Sequence, residues 1–418
     1  MVGARGDNLV FLLCTPRSGS SLATAMLQNH GKLYAAQEMW LLLSLLELRS
    51  GRKRPYGGGA IVERFYNGTL PEGTFEDACR AFALEAYNGL LRGEEAELVL
   101  DKSPRYYGLL EFLDVLFPQS RRIWLVRNPF AVLASYKKLG AQRGGSSDLE
   151  ALLTGRSFDP KAADLTVGLL RYMRYFAAED PLAYRLRYER LVADPRGELD
   201  GVCRFLGLGY EAGMERYGAA MDTPKAARFF SMGVGDPLLA DHSAPHEDSV
   251  HAWKELLTKR EIAAYGRILG GRALDGLGYG EEREAAEKLA GCRFAADPDE
   301  SLLALRTEQW AEATGWRWTE AYRMTSELPD GAKAARLPEE GQAAGATGTA
   351  AAAEAEQLRL VVRALEQRLE SGHRERERLR AELGAMKRKA ARLKAAIPFG
   401  DRLARLASSY ISGAGGRK

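Results

Sequence analysis

The stretch Phe11–Leu22, FLLCTPRSGSSL, contains the end of an apolar run, a turn of small polar residues and the start of an apolar-periodic segment. The run Asn8–Cys14 predicts a buried strand, and the periodic segment predicts a helix that ends at Gly31. A turn between a buried strand and a helix presents unpaired backbone N–H groups at the positive end of the helix dipole. The stretch therefore predicts an α/β fold with an anion-binding loop after its first strand.

The turn carries the residue types that a phosphate-binding loop needs. Gly19 lets the backbone approach a ligand, Ser20 and Ser21 add hydroxyl donors, and Arg17 adds a fixed positive charge. The backbone of Ser18 belongs to the same predicted cradle. Ser20 follows Gly19 where a P-loop kinase or NTPase has lysine, which argues against those enzymes.

Short strands and helices alternate along the rest of the first 280 residues. Asn128-Pro129 and Asp194-Pro195 have the residue types of a helix N-cap and first position, and Thr74 with Asp77 predicts a capping box. This order predicts a central, mostly parallel sheet flanked by helices. The later strands are predicted at Leu98–Asp101, Arg122–Val126 and Tyr184–Tyr188.

Composition limits the class of protein. The 418 residues are 46% apolar, and 59 basic residues against 56 acidic ones give a net charge of +3, so no general affinity for nucleic acid or anionic membrane is expected. The longest early apolar run, Leu9–Leu13, is too short for a signal peptide, and no stretch has the length of a membrane span. We therefore expect a cytoplasmic protein. Its four cysteines lack CxxC spacing and are expected to be reduced and packed in the core.

The C-terminal part differs in composition. Ala, Gly, Pro and Glu dominate a predicted linker, and leucines at heptad spacing then predict a coiled coil that could join two copies of the chain. Gly372 and Arg376 interrupt that seam, so a single charged helix or one docked on the catalytic domain stays open. The predicted organisation is a catalytic domain, a helical extension, the linker, the coiled-coil helix and a tail, at 1–280, 281–327, 328–351, 352–397 and 398–418.

The loop resembles the 5′-phosphosulfate loop of sulfotransferases that use 3′-phosphoadenosine 5′-phosphosulfate (PAPS), which reads Pro-Arg-Ser-Gly-Thr/Ser-Thr/Ser-Leu. RRIWLVRNPFAVLASY resembles the segment that binds the 3′-phosphate in that family, with Arg127 at a strand end and Ser135 on the next helix. LRYERLVADPRGELDGVCRFLGL is similar to a segment in which a tyrosine, here Tyr188, lies near the nucleotide. GVGDP, residues 233–237, resembles a nucleotide-covering segment, and DKSP, residues 101–104, the strand end that delivers a lysine.

The resemblance covers residues 8 to about 280 and implies a P-loop-like sulfotransferase fold. It implies that Arg17 and Lys102 stabilise the leaving phosphate and that Glu38 is the general base. A glutamate favoured by a helix N-terminus is the alternative for Glu38. His242, His246 and His251 could contact acceptor or nucleotide, and one of them is the alternative general base. No metal is expected.

Two other hypotheses about function stay open. The protein could be a P-loop kinase or NTPase, or a coiled-coil scaffold with an inert nucleotide fold. The acceptor hydroxyl is undetermined and could belong to a glycan, a lipid-linked sugar, a small metabolite or a protein tyrosine.

Overall fold

The computed structural model describes residues 1–36, 38–50, 57–142, 148–220 and 244–328, together with residue 382. The chain divides into two compact units, one of residues 1–230 and 234–361 and one of residues 231–233 and 362–418. Apart from residue 382, everything described below belongs to the first unit. Except for residue 382, the predicted coiled coil lies outside the described residues, as do the tail, the GVGDP segment and His242.

The first unit contains a five-stranded sheet in the order β2-β3-β1-β4-β5, in which every neighbouring pair is parallel. The fold is therefore the predicted α/β arrangement, with helices connecting parallel strands. The strands are β1 Leu9–Leu13, β2 Leu33–Ala35, β3 Leu98–Asp101, β4 Arg121–Val126 and β5 Ala183–Arg187.

Helices connect the strands and continue after β5. The α-helices are α1 Ser20–Gln28, α2 Leu41–Glu47, α3 Gly59–Arg64, α4 Thr74–Leu90, α5 Leu110–Leu116, α6 Pro129–Gln142, α7 Leu149–Thr154, α8 Pro160–Ala163, α9 Leu169–Tyr175, α10 Tyr188–Ala193, α11 Pro195–Leu206, α12 Asp248–His251, α13 Trp253–Leu256, α14 Lys259–Leu269, α15 Gly271–Gly276, α16 Gly280–Ala290 and α17 Glu300–Thr314. Short π-helical turns lie at Phe65–Thr69 and Asp164–Gly168, and 3₁₀ turns at Tyr106–Gly108 and Tyr217–Ala220.

Strand β1 is buried on both faces, which explains why it reads as a continuous apolar run. Phe11 belongs to the hydrophobic core on one side of the sheet and Leu12 to the core on the other, as the two-residue period of a strand requires. All five residues of β1 are fully buried. The strand thus holds the following loop at the middle of the sheet's carboxyl edge.

Two of the predicted helix starts are confirmed and one is wrong. The Asn128 side chain accepts a hydrogen bond from the Phe130 N–H (3.0 Å), and Asp194 accepts one from Gly197 (3.0 Å). The capping box of Thr74 with Asp77 does not form, because α4 begins one residue after Gly73, which has a left-handed backbone (φ 78°).

Three further expectations need correction. Residues 33–35, which no strand was predicted to include, form β2 by pairing with β3. Strand β5 ends at Arg187, so Tyr188 is the first residue of α10 rather than the last of a strand. Cys292 is exposed beyond the end of α16, whereas the other three cysteines are buried as expected.

Candidate active site

The loop after β1 is shaped by two residues in the left-handed backbone region, Arg17 (φ 70°) and Gly19 (φ 90°). A Cβ on Gly19 would lie 2.2 Å from Cδ2 of Tyr188, so only glycine fits beneath that ring. Gly19 is also the N-cap of α1, and because glycine has no side chain it cannot accept a hydrogen bond from the first N–H groups of the helix. The first turn of α1 therefore leaves backbone N–H groups without helical acceptors beside the loop, as an anion site requires.

Arg127 follows β4 and reaches this loop. Its Nη1 donates to the Arg17 carbonyl oxygen (3.0 Å), its Nη2 donates to the Ser249 carbonyl oxygen (3.0 Å), and its guanidinium lies 4.1 Å from the Tyr188 ring centroid. Burial lowers the pKa of Arg127, and this is opposed by Tyr188 and Glu189. Its Nε is buried and has no hydrogen-bond partner among the described residues. A buried cation held on three sides with one donor unused is suited to binding an anion.

Ser135 lies on the cavity-facing side of α6, where Arg17 Nε donates to its hydroxyl oxygen (3.0 Å). Residues at helical spacing on α6 form one wall of a cavity of about 460 Å³. That wall consists of Ala131, Ala134, Ser135, Lys138, Leu139 and Gln142.

Glu38 lies between β2 and α2 and lines the same cavity. Its Oε1 accepts from Nζ of Lys102 (3.1 Å) and its Oε2 from the Trp40 indole N–H (2.9 Å). The side chain of Glu38 is 18% exposed, whereas that of Lys102 is fully buried. A mostly buried carboxylate that faces a cavity can exchange a proton with a molecule bound there.

Lys102 is held in place by the end of β3. Burial raises the pKa of the neighbouring Asp101. Hydrogen bonds from Tyr87, Ser103 and Tyr106 and the charge of Lys102 oppose this rise. The three donor distances are 2.7, 2.8 and 2.9 Å. This network fixes the strand end from which the lysine reaches Glu38.

Sequence comparison with known proteins identifies the family. The family model described as "Sulfotransferase family" matches residues 10–212. Nodulation protein NoeE of Sinorhizobium fredii is 31% identical over 289 residues, which cover 66% of this chain and 67% of that protein. The chain belongs to the sulfotransferase family. A putative protein-tyrosine sulfotransferase of Caenorhabditis briggsae is 26% identical over 52% of this chain and 72% of its own length.

Solved structures of the family are also similar. The sulfotransferase domain of the Synechococcus olefin synthase is 24% identical and covers 62% of this chain and 92% of its own, with a TM-score of 0.40. The sulfotransferase domain of the curacin biosynthetic pathway is 22% identical and covers 65% and 97%, with a TM-score of 0.41.

The structure of this sulfotransferase brings most of the predicted site residues to one cavity. Two predicted residues do not line it, because the Ser18 hydroxyl faces Thr15 (3.1 Å) and Lys102 lies behind Glu38. The predicted residues that line the cavity are Arg17, Gly19, Ser20, Ser21, Glu38, Arg127, Ser135 and Tyr188.

The cavity is also lined by residues that were not predicted from the sequence. Lys138 lies one turn after Ser135 on the same face of α6. The three-residue spacing between them could have indicated this from the sequence. Ser249 and Tyr217 come from distant segments without such a signal. Of the candidate histidines, His246 lines the cavity and His251 is exposed on α12.

Two features are absent from the described ranges. In them, no helix is both long and apolar enough to cross a bilayer. The same part of the chain contains no group of three or more His, Cys, Asp or Glu side chains that could bind a metal ion.

Proposed function

We propose that this protein transfers the sulfuryl group of PAPS to an acceptor hydroxyl, with Glu38 as the general base. The observation that supports this most is that one cavity is lined by the loop at Gly19, by Arg127 and Ser135, and by the Glu38 carboxylate. A sulfuryl transfer needs these three elements, which are an anion cradle, a second anion site and a base.

The residues present fit PAPS. The backbone around Gly19 and the hydroxyls of Ser20 and Ser21 would hold the 5′-phosphosulfate at the start of α1. Arg127 and Ser135 would hold the 3′-phosphate, and the unused, buried Nε of Arg127 is a donor that such an anion would satisfy. PAPS supplies an activated sulfuryl group and a good leaving group, so the protein needs to position it rather than activate it.

Glu38 would take the proton of the acceptor hydroxyl while the hydroxyl oxygen bonds to sulfur. At the same time the bond between sulfur and the 5′-phosphate oxygen would break. Arg17 and Lys102 would stabilise the negative charge that the leaving phosphate gains. Lys102 does not line the cavity, and its ammonium lies 3.1 Å from Glu38, so it would have to move past that carboxylate to contact the phosphate. The products are the sulfate ester and 3′,5′-diphosphoadenosine (PAP).

The acceptor is proposed to be a hydroxyl of a carbohydrate or small molecule. Names of relatives mention both tyrosine and sugar acceptors, since one is a protein-tyrosine sulfotransferase of Gallus gallus and another a heparan sulfate glucosamine 3-O-sulfotransferase of Mus musculus. The mouse enzyme is 30% identical over 32% of this chain. Both types of acceptor present a hydroxyl, from which Glu38 would take the proton.

Transfer is tested with PAPS and four acceptors: a methyl glycoside, an oligosaccharide, a phenol and a tyrosine peptide. PAP and the sulfated product are quantified by mass spectrometry. Formation of both in equal amounts supports the proposal. PAP binding without transfer to any acceptor would favour the inert-fold reading.

A thermal shift separates this proposal from a kinase. PAP should stabilise the fold well above ATP with magnesium, because ATP has no 3′-phosphate for Arg127 and Ser135. Equal stabilisation by the two nucleotides would favour the kinase reading.

A further inference from the structure

Trp40 lies two residues after Glu38 with a left-handed backbone (φ 54°, ψ 16°), a conformation that is costly for a residue with a bulky side chain. Its backbone N–H donates to the Ser103 hydroxyl oxygen (3.0 Å), and that hydroxyl donates to the buried carboxylate of Asp101 (2.8 Å). The backbone of Trp40 is therefore attached to the end of β3, the same strand end that delivers Lys102.

Arg105, which also has a left-handed backbone (φ 78°), contacts the Trp40 ring from one side. Its guanidinium carbon lies 5.9 Å from the ring centroid. Arg105 is fixed by two hydrogen bonds of 2.9 Å to the fully buried Asp164, which also accepts from the hydroxyls of Tyr107 and Tyr136. Two strained residues on separate segments thus meet beside Glu38, and such strain persists only where surrounding contacts enforce it.

The contacts of Trp40 end on the Glu38 carboxylate. The indole N–H donates to Oε2 (2.9 Å) and Lys102 donates to Oε1 (3.1 Å), so each oxygen has one donor from a different element. A carboxylate oxygen accepts more than one hydrogen bond, so both oxygens can still meet an acceptor hydroxyl. Trp40 itself is not among the residues that line the cavity. Any effect of Trp40 on the reaction is therefore indirect, and the hydrogen bond of its indole leads to Glu38.

We infer that Trp40 is a positioning residue, whose indole N–H sets the direction in which Glu38 faces the acceptor. This inference rests on the proposed role of Glu38 as the base. Lys102 alone would leave the carboxylate free to rotate about a single contact, whereas the pair of donors fixes its plane.

The first test is the substitution Trp40→Phe, which keeps a ring beneath Arg105 and removes the N–H. We expect kcat to fall about tenfold, the order of effect for a lost hydrogen bond to a charged group, with the Kd for PAP unchanged. In a Glu38→Gln background the same change should alter kcat less than about twofold, because the base it positions is gone. Turnover is PAP release with whichever of the four acceptors the wild type sulfates.

Trp310→Phe is the matched control. The Trp310 indole nitrogen is also buried but has no hydrogen-bond partner among the described residues, so the same substitution should leave kcat unchanged. Equal losses from Trp40→Phe in the wild-type and Glu38→Gln backgrounds would overturn the inference. Full turnover in Glu38→Gln itself would instead overturn the role of Glu38 as base.

A second test needs no acceptor. The indole ¹H–¹⁵N resonance of Trp40, assigned by its loss in Trp40→Phe, should move in Glu38→Gln, while the Trp310 resonance stays in place. An unmoved Trp40 resonance would show that the indole does not bind Glu38 in solution and would overturn the inference whatever the catalytic data.

Discussion

Replacing Arg127 by alanine should weaken the binding of a nucleotide with a 3′-phosphate far more than that of one without it. The guanidinium of Arg127 is buried, its Nε is unused, and its other nitrogens hold the loop carbonyl at Arg17 and the Ser249 carbonyl. The substitution removes both the proposed phosphate contact and part of the loop's support. Affinity for one nucleotide alone cannot separate these two losses, so two nucleotides are needed.

The magnitude follows from the burial of the site. Arg127 is 7% exposed, so its bond to a phosphate is weakly screened, and losing one charge-assisted hydrogen bond there costs about 2 kcal/mol, or about 30-fold in Kd. AMP has no 3′-phosphate, so its affinity should fall only by the smaller amount that comes from the lost support of the loop. The ratio of the AMP Kd to the PAP Kd should therefore fall about 30-fold in Arg127→Ala.

Isothermal titration of PAP and AMP into each variant measures this ratio. Arg121→Ala is the matched control, since Arg121 lies at the opposite end of β4 and its side chain donates to the Asp7 carbonyl oxygen (3.3 Å). We expect wild-type affinities in that control. If Arg127→Ala weakened PAP and AMP by the same factor, Arg127 would only support the loop, and the 3′-phosphate site would have to be placed elsewhere.

Four further predictions can be checked separately. Glu38→Gln should lower turnover about 100-fold or more and keep PAP affinity, because a base acts on the acceptor proton and not on the nucleotide. Steady-state kinetics measure the turnover and calorimetric titration the affinity, and a loss of PAP affinity would contradict this role. Gly19→Ala should lower the free energy of unfolding by about 1–3 kcal/mol and abolish stabilisation by PAP in thermal melts, because its Cβ would collide with Tyr188; a wild-type melt would contradict this. Removing everything after Leu328 should keep PAP affinity but lower the oligomeric state seen by light scattering, and an unchanged state would refute dimerisation through the heptads. A thiol reagent at pH 8 should label the native protein once, at Cys292. Burial raises the pKa of each of the three other thiols to about 11, so only about one in a thousand of them is ionised at that pH. Mass spectrometry counts the labels, and more than one label would contradict this prediction.

The local parts of the site were predictable from sequence because their geometry is set within a few residues. The turn at Gly19 needs only a strand before it and a helix after it, and the structure contains both. The placement of Arg127 and Ser135 followed from an N-cap at Asn128 and the spacing of a helix face. Parallel order then implied that the strand ends meet at one edge, as they do.

Other features depend on residues far apart in the chain, and no local pattern contains them. Trp40 meets Ser103 across 63 residues, and Arg127 meets Ser249 across 122. Strand β2 has only three residues, too few for a periodic signal, and exists because β3 pairs with it.

The burial of Lys102 is the clearest case of a property that only the tertiary structure decided. Sequence alone identified a lysine after a strand, a residue type that is rarely buried. Packing around β3 takes it out of water, and the carboxylates of Glu38 and Asp101 make that burial tolerable. The sequence determined which chemical groups are present and on which elements they lie. The tertiary structure determined their pairing, because the energy of a buried charge depends on neighbours that the chain brings together only when it folds.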